Sequence, residues 1–157
     1  MEKLRIDKKN IYQIEVNDKG DIIEFDLDDL GLTFKLMKSL EDIEKIKEEV
    51  LCKVDEIEAM PDDESELFSD KTVKTLELWD EAFKKMRAAY DVFLGEGACQ
   101  KIFGDRNYKE MFDDLTKELA PHFDKMGLNF KKFSEKLADK YSQDNSDTIW
   151  HIQNMQI

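Results

Sequence analysis

The sequence is poor in the residues that crosslink chains, break helices or act in catalysis. Among 157 residues it has two cysteines, two histidines, two prolines and six glycines. Two cysteines alone, Cys52 and Cys99, do not form the disulfide framework of a small secreted domain, so reduced thiols are expected. Cys52 lies near the apolar face of a helical segment, and we expect it to be a small core residue. The scarcity of proline and glycine favours long helices.

Long apolar runs are also absent from the sequence. No run is long enough for a signal peptide or a membrane span, and the start, Met-Glu-Lys-Leu-Arg-Ile, is polar. We therefore expect a cytoplasmic protein with no membrane partner.

Local spacing offers no catalytic or metal site. His122 and His151 are far apart, and neither has the neighbours that hold zinc. His122, beside Pro121, is expected at the surface or at the edge of the core. The segment Gly95-Glu96-Gly97 follows a helical pattern rather than a strand and lacks the lysine and hydroxyl residue of a phosphate loop. We expect no catalytic residue, no cofactor and no metal.

Charge is abundant and mostly negative. The sequence has 37 acidic and 24 basic residues, which gives a net charge of −13. Such a field repels nucleic acid phosphates and favours basic partners, so no nucleic-acid partner is expected. Lysines and arginines are interleaved with the acidic residues throughout, which is typical of a solvated helical surface. At 41% hydrophobic residues, with ten Phe and seven Met, the chain is long and apolar enough for one folded domain.

Residues 11–27 predict a β-hairpin. Two runs rich in Ile, Tyr, Val and Phe are separated by Asn17-Asp18-Lys19-Gly20, whose residues favour a turn. Alternation places one set of apolar side chains on a shared face: Tyr12, Ile14, Val16, Ile23, Phe25 and Leu27. Two strands alone are marginal in water, so the hairpin must lie on helices or pair with another chain.

A long amphipathic helix is predicted from about Thr33 to Ala59. Its apolar residues recur at spacings of three or four: Leu36, Leu40, Ile43, Ile46, Val50, Val54 and Ile57. This helix would extend about 40 Å at 1.5 Å per residue. Because a compact domain needs less, we expect part of it to project or to pack on a second copy, and a homo-oligomer is an expectation.

A second helix carries unusually large residues at helical spacing. An acidic connection containing Pro61 precedes it, and its stripe consists of Leu76, Trp79, Phe83, Met86, Tyr90 and Phe93. The stripe is expected to be a core face packed on the first helix. The alternative is a groove for a peptide or cofactor. The candidate partner-binding residues are Trp79, Phe83, Met86, Tyr90, Phe93, Ile102 and Phe103.

Three of the six glycines lie within residues 95–104. Glycine adopts positive φ readily, so this cluster predicts two sharp reversals. Gly95 and Gly97 end the second helix, a short helix runs from Ala98 to Phe103, and Gly104 stops it. Asp105 or Asn107 is expected to cap the next helix.

The rest of the chain predicts further helices. A third stripe consists of Tyr108, Met111, Leu115, Leu119 and Met126, with Pro121 expected to bend or break it near Ala120 and Gly127 expected to end it. A fourth helix carries Phe130, Phe133, Leu137 and Tyr141. Residues 1–141 thus form one mainly α domain, an amphipathic helical bundle with an N-terminal β-hairpin. Residues 142–157 are expected to be a flexible tail with an apolar end.

One segment resembles a known family. The residues that carry this resemblance are Phe93, Gly95, Glu96, Gly97, Lys101, Ile102, Phe103, Gly104 and Asn107. They are similar to the signature of small tail assembly chaperones of long-tailed phages and prophages of Gram-positive bacteria, and the layout of hairpin and acidic helices is similar too. The resemblance implies a non-enzymatic protein of the host cytoplasm. Such proteins bind the helical tape-measure protein, keep it soluble, and are displaced as tail-tube protein polymerises.

Two alternatives remain open at this stage. One is an acidic regulatory or inhibitory protein of the nucleic-acid-mimic type, which needs a continuous negative face. The other is a small helical enzyme that uses the face from Trp79 to Phe93. It needs an enclosed pocket with convergent polar groups, including Cys99 or His122.

Overall fold

The protein is mainly helical, with an antiparallel β-hairpin before the helices. A computed structural model describes residues 1–61 and 67–127. In chain order the elements are β1 (Ile11–Glu15), β2 (Ile22–Asp26), α1 (Gly31–Glu58), α2 (Asp70–Leu94), α3 (Ala98–Phe103) and α4 (Met111–Lys125). The predicted fold class is confirmed. The predicted fourth helix with its Phe130, and the predicted tail at 142–157, lie outside the described residues.

The hairpin forms with the predicted turn and the predicted faces. Tyr12 pairs with Phe25 and Ile14 with Ile23. In the turn, the Asn17 side chain accepts hydrogen bonds from the backbone N–H groups of residues 19 and 21, at 2.9 and 3.2 Å. The shared inner face is apolar, which leaves Ile23 and Phe25 buried.

The inner face of the hairpin packs against the helices. The ring of Phe25 meets the ring of Phe123 edge to face, with centroids 5.9 Å apart. Tyr12 Oη and His122 Nδ1 form a hydrogen bond of 2.8 Å, and His122 is half-buried. The expectation that this marginal sheet lies on helices is confirmed, as is the position of His122 at the edge of the core.

Helices α1 and α2 pack side by side in opposite directions. Two ion pairs join them: Lys53 Nζ lies 3.0 Å from a Glu81 oxygen, and Lys85 Nζ lies 2.8 Å from a Glu49 oxygen. These pairs are half-exposed, so each adds little stability. The apolar seam beneath them contributes more, because its side chains leave water. The seam residues of α1 are buried, namely Ile43, Ile46, Val50, Val54 and Ile57.

The seam of α2 differs from the predicted stripe in its first half. Leu76 is 41% exposed, and Trp79 and Phe83 are only half-buried. The buried residues of α2 are Thr75, Leu78, Ala82, Met86, Ala89, Tyr90, Phe93 and Leu94. The prediction that the whole aromatic stripe is core is therefore wrong. Leu78 and Ala82 lie beside Ile46 and Val50 of α1 in the seam, and the larger rings of Trp79 and Phe83 lie at its edge.

The glycine cluster forms the predicted corner. Helix α2 ends at Leu94, and α3 occupies the predicted residues. The φ angles are +110° at Gly95, +75° at Gly97 and +64° at Gly104, all in the range that favours glycine. Gly95 follows the last residue of α2, Gly97 precedes the first residue of α3, and Gly104 follows its last residue.

The cap predicted for the next helix is wrong. Helix α4 begins after Glu110, which makes no side-chain cap. Asn107 Oδ1 instead accepts a hydrogen bond of 2.8 Å from Arg87 Nε. Asp105 Oδ1 accepts one of 2.9 Å from Gln100 Nε2. The Asn107 carboxamide and the Asp105 carboxylate therefore stabilise the loop before α4 rather than the first turn of α4.

Helix α4 passes through Pro121. Of the bend or break predicted near Ala120, the break does not occur, since the helix continues to Lys125. Proline removes one backbone hydrogen bond, but Phe123 in the following turn is fully buried and holds that turn against the core. Gly127, with a φ of +73°, follows the helix as predicted.

Cys52 is exposed, which contradicts its expected place in the core. It stands two residues after Val50 and two before Val54, both of which face inward. Positions two apart point to opposite sides of a helix, so Cys52 faces solvent. No helix in residues 1–61 and 67–127 has the length and apolar character that a membrane crossing requires.

Candidate functional site

An apolar pocket opens between α1, α2 and α4. Ile46 and Val50 of α1 form one side, Trp79 and Phe83 of α2 form the other, and Phe112 of α4 closes the end. Ala82 and Met86 form the floor between the helices. The pocket has a volume of about 50 Å³. This volume suits the end of one apolar side chain rather than a typical small-molecule substrate, whose sites are several times larger.

The aromatic wall of the pocket is held by its own ring contact. The rings of Trp79 and Phe83 have centroids 5.1 Å apart and are tilted by 35°. Trp79 Nε1 is buried and has no hydrogen-bond partner among the described residues.

Charged side chains surround the apolar surface. Lys47, Lys109 and Asp113 complete the lining. Burial raises the pKa of Asp113 above its ordinary value, and the positive charges of Lys117 and Lys47 oppose that rise. Lys47 is only 3% exposed although it carries a charge. The pocket therefore combines a mostly apolar lining with three charged side chains, of which Lys47 is buried.

The structure brings three of the predicted partner-binding residues together. Trp79, Phe83 and Met86 line the pocket. Tyr90 and Phe93 do not, because both are buried in the core. Burial raises the pKa of the Tyr90 phenol to about 12. The sequence predicted both residues as partner contacts. In the structure they are core residues, and Tyr90 stacks on the pocket residue Phe112.

Ile102 and Phe103 lie at the glycine corner and are half-buried. The Phe103 ring meets the Phe112 ring edge to face at 6.1 Å, and the Arg87 guanidinium lies 5.8 Å from the centre of the Phe103 ring. Neither Ile102 nor Phe103 lines the pocket. Phe112 contacts both the corner and the pocket, so the corner positions one wall of the site.

Sequence reasoning missed the contributions of α1 and α4. Phe112 was not part of the predicted third stripe, although it stands three residues before Leu115 and seven before Leu119, which is helical spacing. Ile46 and Val50 were predicted as core, and they are buried as well as lining the pocket. Lys47 carried no sequence signal, since a lysine in an acidic helix predicts solvent exposure.

Side chains that commonly bind metals do not cluster in the described part of the chain. No group of three or more His, Cys, Asp or Glu side chains there could hold a metal ion. Cys99 lies at the glycine corner, and burial raises the pKa of its thiol. A raised thiol pKa disfavours the thiolate, which is the reactive form. The arrangement is suited to apolar contact.

The two thiols should differ strongly in reactivity. Cys52 is exposed, whereas Cys99 is 1% exposed and its Sγ donates to the Arg87 carbonyl oxygen at 3.6 Å. With excess aromatic disulfide reagent, we expect the native protein to release one equivalent of chromophore rapidly and the second only after unfolding. The Cys52→Ser variant should be unreactive until it is denatured. Equal rates for both thiols in the native protein would contradict the buried position of Cys99.

Comparison with known proteins gives no match. No protein-family model, curated protein or solved structure matches the chain.

Proposed function

We propose that this protein is a non-enzymatic binding protein that shelters an apolar helical segment of another polypeptide. The pocket between α1, α2 and α4 is the observation that carries the proposal. It is open, and its lining is mostly apolar and includes the half-buried Trp79 and Phe83, with Lys47, Lys109 and Asp113 as its charged residues. Amphipathic helices bind such sites by inserting apolar side chains at helical spacing.

Within that class, we propose a tail assembly chaperone of a long-tailed phage or prophage. The client is the tape-measure protein, which is held soluble until tail-tube protein polymerises around it. The resemblance at the glycine corner supports this choice, and the pocket supports it because an apolar helical client needs aromatic anchors. Met86 at the pocket floor favours a client with varied side chains, since the flexible thioether adapts to different shapes.

The charge pattern favours this function over a nucleic-acid mimic. A mimic needs a continuous row of carboxylates. Along the seam of α1 and α2, Lys53 and Lys85 bind Glu81 and Glu49 and interrupt such a row. The negative surface instead keeps a complex with an apolar client soluble through its net charge of −13.

A charge placed in the aromatic wall should abolish client binding. In Phe83→Asp the carboxylate would have to lose water when the client's apolar side chain enters the pocket. We expect affinity for the tape-measure protein to fall by about a hundredfold or more, as for a central anchor residue. The measurement is co-expression of both proteins from the same phage, followed by co-purification and titration of the purified complex.

The matched control is Leu76→Asp. Leu76 lies on the same helix, one turn before Trp79, but is 41% exposed and does not line the pocket. This variant should bind the client as the native protein does, and circular dichroism should show both variants folded. The proposal fails if the native protein neither co-purifies with the tape-measure protein nor raises its soluble yield. It also fails if Phe83→Asp and Leu76→Asp bind equally well.

A further inference from the structure

The first nine residues form an exposed arm that precedes β1. All of them are exposed, with Leu4 at 93% and Ile6 at 87%. Their polar contacts are sparse, such as Arg5 with Asp7 at 2.9 Å and Lys8 with Glu24 at 3.9 Å. Leu4 and Ile6 stand two apart, so in an extended chain both point to the same side. An extended arm with one apolar side is suited to covering an apolar surface.

Such a surface exists at the start of α1. Leu30, Phe34 and Met37 are 81%, 70% and 55% exposed. Their spacing of four and three places them on one side of the first turns of the helix, and we call these three residues the acceptor stripe. Contiguous apolar side chains on a folded surface are typical of an interaction site.

The arm and the acceptor stripe begin at the same end of the molecule. The Asn10 carbonyl accepts a hydrogen bond of 2.9 Å from the Leu27 N–H, which fixes where the arm leaves the hairpin. Three residues after Leu27 the chain reaches Leu30. Within one chain, however, the apolar side chains of arm and stripe do not cover each other, since both sets are exposed.

The charges of the two parts are complementary. The arm has four basic and two acidic residues, a net charge of +2, in a chain of net charge −13. Residues 26–42, which contain the acceptor stripe, have five acidic and two basic residues, a net charge of −3. Asp28 and Asp29 stand directly before the stripe. A basic arm that lies on this acidic surface is attracted to it electrostatically, and salt weakens the attraction.

We propose that two copies of this chain exchange arms. Leu4 and Ile6 of each copy pack on the acceptor stripe of the other copy, and the arm's lysines and Arg5 face the acidic residues around it. Because arm and stripe lie at the same end, one two-fold axis satisfies both contacts and closes the dimer. The contact does not use the pocket, so dimer formation does not depend on binding of the proposed client.

The first test is the mass in solution. The native chain has a mass of 18.5 kDa, so the dimer is expected at twice that value in sedimentation and light scattering at micromolar concentration. Ile6→Asp and Phe34→Asp should each raise the dimer dissociation constant by about tenfold or more, since each introduces a charge into an apolar contact. Both side chains are exposed in the single chain, so both variants should keep the native circular dichroism. Leu76→Asp is the control and should dimerise normally.

A crosslinking test decides whether the contact joins two chains. One variant carries Leu4→Cys and the other Phe34→Cys, both with Cys52→Ser to remove the exposed thiol. Mixed and oxidised, they should form a disulfide-linked heterodimer that neither variant forms as efficiently alone. The proposal is overturned if the native protein stays monomeric at the highest concentrations reached. It is equally overturned if Ile6→Asp leaves the dimer unchanged, or if a chain with both new cysteines crosslinks only within itself.

Discussion

Replacing Tyr90 with alanine should lower the free energy of unfolding by about 3–5 kcal/mol, the usual range for removing a buried aromatic side chain. Tyr90 is 1% exposed. Its ring stacks on that of Phe112 with centroids 4.9 Å apart and contacts that of Phe93 at 5.8 Å. The variant would leave a cavity where α2 meets α4. Because small domains have only about 5–15 kcal/mol of stability, urea denaturation should show a large shift of the midpoint.

The variant Tyr90→Phe removes the hydroxyl and keeps the ring, so it measures the contribution of the hydroxyl alone. Tyr90 Oη lies 3.4 Å from Thr116 Oγ1, which is a long hydrogen bond. Thr116 Oγ1 also donates to the Phe112 carbonyl oxygen at 2.8 Å, so it keeps a partner without the phenol. We expect this variant to lose at most about 1 kcal/mol. A Tyr90→Ala loss no larger than that of Tyr90→Phe would contradict the packing around the ring.

The second large effect is expected at Gly95. Its backbone has a φ of +110° and a ψ of 153°, a region that is almost exclusive to glycine. A Cβ placed there would meet nothing within 4 Å, so the cost of Gly95→Ala comes from the backbone alone. We expect a loss of about 2–3 kcal/mol in the free energy of unfolding. Thermal and urea denaturation of the purified variant would measure it.

Gly97 provides the comparison within the same corner. Its φ of 75° and ψ of 7° lie near the left-handed helical region, which asparagine also visits. Gly97→Asn should therefore be far milder than Gly95→Ala, with a loss below about 1 kcal/mol. Both sites leave equal room for a Cβ, so a steric difference would not explain the result. Equal losses at the two glycines would show that backbone conformation is not what the corner depends on.

These glycines also show why parts of the fold could be predicted from sequence. The hairpin turn and the corner depend on the φ angles of single residues. Glycine and asparagine tolerate these angles, so their positions in the sequence predict the turns. The face of α2 depends on its neighbour instead. The large side chains of Trp79 and Phe83 predicted a core stripe, but Leu78 and Ala82 face α1, and the two rings lie at the edge of the contact.

Only the residues on the α2 side of the pocket could be predicted from the sequence. Trp79, Phe83 and Met86 lie on one helix at regular spacing, so periodicity finds them. Phe112 and Lys47 come from two other helices, and their place beside that wall depends on the crossing of α1, α2 and α4. A single sequence contains no local signal for such a crossing.

The attachment of the hairpin has a consequence for the order in which the protein matures during translation. Tyr12 binds His122, 110 residues later, and Asn17 binds the Lys101 carbonyl, 84 residues later. At about 5–20 residues per second, the ribosome needs roughly 6–20 s to add the residues between Tyr12 and His122. The apolar face of the strands made first is therefore fully covered only after α4 has been made. In that interval the nascent chain is most open to capture by cellular folding factors.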